Sequence, residues 1–93
     1  MEIKEVIGID VSKLTLDCCI HKSQEFKVFN NDSKGIKKLM DWSLKKSKVD
    51  KGNLLFVLEH TGLYSDHLVR LLDCGDCLMN IVSGLEVKRS LGF

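Results

Sequence analysis

A chain of 93 residues with 44% hydrophobic and 29% charged side chains makes one small domain, residues 1–93, and its net charge of +1 excludes a globally basic nucleic-acid binder. No apolar run reaches membrane-spanning length, and Met1-Glu2-Ile3-Lys4-Glu5 lacks a secretory leader's layout, so a cytoplasmic protein with no membrane association is expected. In that compartment the four cysteines are expected to be reduced.

The chain opens on Glu5-Val6-Ile7-Gly8-Ile9-Asp10-Val11-Ser12-Lys13, an apolar run that ends in one carboxylate. Such a run predicts a strand buried on both faces, in the middle of a sheet. Leu14, Leu16, Cys18 and Ile20 then alternate with Thr15 and Asp17, which predicts a half-buried strand. Only Val11-Ser12-Lys13 separates the two, enough for a hairpin and too little for a crossover. After the polar turn His21–Gln24, Phe26–Phe29 completes a three-stranded meander.

Asn30-Asn31-Asp32-Ser33 offers capping side chains for a helix whose apolar stripe is Ile36, Leu39, Met40 and Leu44. Lys34, Lys37, Lys38, Lys45 and Lys46 mark its wet side and read as a solvated face. Asp50–Asn53 breaks the helix. Leu54-Leu55-Phe56-Val57-Leu58-Glu59 then repeats the opening pattern, apolar run and terminal acid. A second helix carries Tyr64, Leu68, Leu71 and Leu72, with Tyr64 expected in the core and Gly75 at its C-terminal end. Cys77–Val82 is a fifth strand, and Ser83–Ser90 opens a third helix. Cys74-Gly75-Asp76-Cys77 has CxxC spacing, but it follows a helix instead of opening one, so the thiols read as structural.

A strand–helix–strand unit in one sheet is a right-handed parallel crossover. Two of them after a meander give strand order 3-2-1-4-5 with strand 2 antiparallel, an α/β mixed sheet with the two acid-tipped strands adjacent and parallel. Asp10 and Glu59 then lie together at one sheet end. Two carboxylates that close need a proton or a cation between them, and a divalent metal is the obvious candidate. Each acid also has a plainer reading, Asp10 as a strand-end turn residue and Glu59 as an acid at a helix N-terminus.

Three antiparallel strands followed by crossovers is the ribonuclease H-like arrangement. Ile7-Gly8-Ile9-Asp10-Val11-Ser12-Lys13, then Leu58-Glu59-His60-Thr61-Gly62-Leu63-Tyr64, then Val87-Lys88-Arg89-Ser90-Leu91-Gly92, resembles the N-terminal RuvC-like (DEDD) domain of IS110-type transposases over essentially the whole chain. The resemblance implies a Mg²⁺-binding acidic tetrad that cleaves and transfers DNA strands, with Asp10 and Glu59 as its first two acids. The family's last two acids follow the Lys88–Gly92 region, and the sequence stops at Phe93 before reaching them. The resemblance further implies DNA and a guide RNA from the same element as partners, and a homo-oligomeric full-length protein. Little activity is expected of these residues alone.

Lys13, Lys88 and Arg89 are the expected phosphate contacts, by their position near the acid end. Asp17 reads as exposed or structural, and His60, His67 and Tyr64 receive no catalytic role. Two other functions are open at this point. One is a non-catalytic nucleic-acid-binding or dimerising module of the same fold. The other is an actin-like ATPase or sugar-kinase half, disfavoured because Val11-Ser12-Lys13-Leu14 lacks a glycine-rich phosphate cradle.

Overall fold

The computed structural model describes residues 2–59 and 62–82. Five strands, β1 (Glu5–Val11), β2 (Thr15–Ile20), β3 (Glu25–Asn30), β4 (Leu54–Glu59) and β5 (Leu78–Val82), form one sheet ordered β3-β2-β1-β4-β5. β2 is antiparallel to β1 and β3, whereas β1, β4 and β5 run parallel. Helix α1 (Ser33–Ser47) joins β3 to β4, and α2 (Asp66–Cys74) joins β4 to β5. This is the ribonuclease H-like mixed sheet that the hydrophobic pattern predicts. The third helix expected over Ser83–Ser90 lies outside the described residues.

Both crossovers advance across the sheet in the same direction, so right-handedness sends both helices to the same face. Ile7, Ile9 and Val11 of β1, Leu16, Cys18 and Ile20 of β2, and Leu54, Phe56 and Leu58 of β4 point to that face. They pack on Ile36 and Leu39 of α1 and Leu68 and Leu72 of α2. The opposite face carries half-buried Val6 and Gly8, exposed Asp10 and Asp17, and Phe26 and Val28 on the outermost strand. Among the described residues no helix covers it. On this second face β1 is half-buried at Val6 and Gly8, beside buried Val57 of β4, and is exposed at Asp10.

Leu14 departs from its expected place in β2. It sits at the hairpin tip, 73% exposed, because the turn takes Ser12 to Leu14 and pairing resumes at Thr15. Ser12 locks that turn: its amide donates to the Thr15 carbonyl (2.9 Å), and its Oγ accepts from the Thr15 amide (3.2 Å).

At the N-terminus of α1 the expected cap is present. Asp32 Oδ1 accepts from the Gly35 amide at 2.7 Å, satisfying one of the helix's orphan donors. A side chain at Gly35 would collide with the Asn30 backbone carbonyl, so only glycine lets α1 start this close to the end of β3. Gly75 is likewise a close-approach residue, with a Cβ there meeting the Met40 side chain. The left-handed turn after α2 is instead taken by Asp76 (φ 56°).

Candidate functional site

The hairpin reverses the chain so that Asp17 of β2 pairs with Asp10 of β1. Directly opposed residues of an antiparallel pair point to the same face, with Cβ atoms roughly 5 Å apart, and like charges there repel. Both aspartates are exposed, on the face away from the helices. On the other side of β1 the parallel register pairs Ile9 with Leu58, so the next position along, Glu59, lies beside Asp10. Glu59 is also the partner of Val82 on β5. The backbone thus sets three acidic positions across adjacent strands at one sheet end: 17, 10 and 59.

Asp17 is exposed, as the sequence reading expects, but that reading does not set it opposite Asp10. Alternation correctly sends it to the face away from Leu16. That is also the face of Asp10, because the hairpin register matches Val11 to Leu16 and therefore acid to acid. Counting back from the turn, with Ser12 to Leu14 taken as loop, would have found it.

The loops around the acids are tied together by Asn31, at the junction of β3 and α1. Its Nδ2 donates to the carbonyls of Ser12 and Tyr64, each at 2.9 Å, and its amide donates to the Leu14 carbonyl at 2.9 Å. One carboxamide therefore joins the β1–β2 hairpin tip to the turn that follows β4. Its Oδ1 is buried and has no hydrogen-bond partner among the described residues. Tyr64, expected in the core, is 45% exposed and belongs to a short 3₁₀ turn, Gly62–Ser65, ahead of α2. His67 is exposed on α2 and meets Ser33 Oγ through Nε2 at 3.1 Å, bridging the starts of the two helices.

Lys13 stands exposed at the hairpin tip, next to the acid end. Lys88, Arg89 and His60 lie outside the described residues. Among the described residues no cluster of three or more His, Cys, Asp or Glu side chains is arranged to hold a metal ion. The described part of Glu59 is its backbone position.

A family model described as a transposase, the DEDD domain of IS110-type elements, matches residues 7–91. The chain belongs to the IS110-type DEDD transposases. No curated protein matches it. Among the described residues no helix is long and apolar enough to cross a membrane.

The cysteines of this transposase domain are free thiols. Burial pushes the Cys18 thiol up to about 12, with the neighbouring Asp17 and Cys19 adding to the effect. Cys77 is raised chiefly by burial, so this thiol lacks the stabilised thiolate that redox chemistry requires. Cys19 is raised by burial and by Glu5. All three shifts favour the neutral thiol of an inert packing residue.

Proposed function

We propose that this domain supplies the first two acids, Asp10 and Glu59, of a Mg²⁺-dependent centre for DNA strand cleavage and transfer in a transposase. The observation that carries the reading is the parallel register of β1 and β4, which sets the two acidic positions side by side at the end of the sheet. The donor set fits a hard cation, since the three positions offer carboxylate oxygen and no sulfur or imidazole. Mg²⁺ held there would polarise a phosphoryl oxygen and help to form the attacking nucleophile.

Asp10 stands on the central strand β1, paired with Asp17 of β2, so its backbone does not have to be ordered when a ligand arrives. Asp17, opposite it, adds negative potential on the same face and concentrates cations there. Lys13 at the hairpin tip, together with Lys88 and Arg89, would hold the phosphates of the DNA. A guide RNA and further copies of the chain are the other partners in this reading. Two of the four acids of the family pattern have counterparts here, so the reading assigns to these residues metal binding and substrate placement rather than complete turnover.

Titration with Mn²⁺, a paramagnetic stand-in for Mg²⁺, tests the reading by NMR. Amide signals of residues 9–11, 16–18 and 58–59 should broaden first, and Asp10→Asn should reduce the effect about tenfold or more. Broadening centred elsewhere, or unchanged in Asp10→Asn, would remove the metal assignment and leave the non-catalytic module.

A further inference from the structure

The lysines of α1 do not all face solvent in the same way. Lys34, Lys38, Asp41, Trp42 and Lys45 recur at four-, three-, one- and three-residue steps, one stripe of the helix, and that stripe faces β3. With Lys27, Phe29 and Asp32 they line a groove of about 650 Å³ between the helix and the outermost strand. Four lysines meet two aspartates in it, and Asp32 is committed to capping α1. Lys27 sits over the Phe29 ring, 5.6 Å from its centroid. Among the described residues Lys34, Lys38 and Lys45 form no ion pair, whereas Lys46, off the stripe, pairs with Glu25 at 3.8 Å. A chain of net charge +1 therefore concentrates unpaired positive charge along one concave strip.

We propose that this groove binds the backbone of a single nucleic-acid strand. Charge complementarity is the first argument: the lysines rise along α1 by roughly 6 and 10 Å, spanning about 16 Å, and meet a polymer with a phosphate at every unit. The second is Trp42, half-buried on the stripe between Lys38 and Lys45. It packs against Phe29 with ring centroids 5.5 Å apart. Lysines along a groove with an aromatic among them are the elements of sequence-tolerant single-strand binding, the aromatic serving an unstacked base. An acidic peptide would share the charge but would have no use for a flat ring, and Lys27 on the edge strand works against strand addition. The Asn30–Lys34 end of the groove lies at the same end of the sheet as Asp10 and Asp17, on the other face, so the groove is a contact separate from the acids. The groove is distinct from the hairpin tip that carries Lys13.

Trp42 is the only tryptophan of the chain, so its fluorescence reports on the groove directly. The full chain is titrated in EDTA with a twelve-residue oligothymidylate. The absence of metal separates this proposal from the metal reading. Trp42 emission should fall on binding, and Lys34→Gln/Lys38→Gln/Lys45→Gln should weaken binding at least about tenfold while reducing the slope of log K against log salt by about 2. The control Lys4→Gln/Lys22→Gln/Lys37→Gln removes equal charge outside the groove and should bind within about threefold of the parent. Circular dichroism checks that both variants fold. Oligouridylate alongside the DNA identifies the strand, and binding of either or both upholds the proposal. It is overturned by no binding, by binding that leaves Trp42 emission unchanged or affects the two triple variants equally, or by equal or tighter binding of a duplex or of polyglutamate.

Discussion

The two faces of the sheet do different work. The helix-covered face is closed: Ile7, Leu16 and Leu58 are wholly buried and Phe56 is 1% exposed. The other face, one residue along on every strand, holds Asp10 opposite Asp17 and leaves Phe26 75% and Val28 59% exposed. The contrast teaches that stability and chemistry are separated by strand parity. A one-residue slip of β1 would bury the acid and expose the core.

Substitutions can break this contrast or sharpen it. The largest effect should come from the closed face, where Phe56→Ala removes a buried ring and should cost about 3–5 kcal/mol in urea unfolding, against within about 0.5 kcal/mol for Val28→Ala on the open one. Alkaline pH comes next. The raised Cys18 thiol keeps its proton in the folded state while the unfolded thiol loses its own near 9, so the stability tied to the neutral thiol is complete below pH 9 and is lost as pH rises towards about 12. The urea midpoint should fall over that window, and less steeply in Cys18→Ala. Gly35→Ala should cost about 1–3 kcal/mol despite alanine's better helix propensity, because the new methyl meets backbone rather than a movable side chain. The smallest effect has the opposite sign. Asp17→Asn should raise stability by a few tenths of a kcal/mol at low salt, fading as salt is added, because it relieves a like-charge pair. The same change should weaken Mn²⁺ binding less than Asp10→Asn does. Stability gained at the expense of cation binding is what an acid retained for chemistry looks like.

The fold was largely legible in the sequence. Two apolar runs ending in acids, a hairpin too short for a crossover and two amphipathic helices leave few topologies. The antiparallel β2 follows from the short hairpin, the adjacency of Asp10 and Glu59 from parallel pairing of the two acid-tipped strands, and the single helix-covered face from right-handed crossovers. What escaped were features that depend on register or on long-range approach. Asp17 comes opposite Asp10 only once the hairpin loop is known to start at Ser12, and Leu14 leaves the core for the same reason. The lysines of α1 read as a solvated face because helical periodicity says which residues share a stripe but not what that stripe faces. Their stripe becomes a groove only because Gly35 lets the helix start against β3. Gly75 follows a familiar helix-end pattern, and what the pattern does not show is that the Met40 side chain, some 35 positions earlier in the chain, comes up against it.

Asn31 gives the acid end a mechanical property. Its carboxamide grips the peptide carbonyls of Ser12 and Tyr64 at once, so neither turn is able to shift alone while both grips hold. A load applied where β4 leaves the sheet is passed through one side chain to the tip that carries Lys13, and the two margins of the acidic row move as a unit.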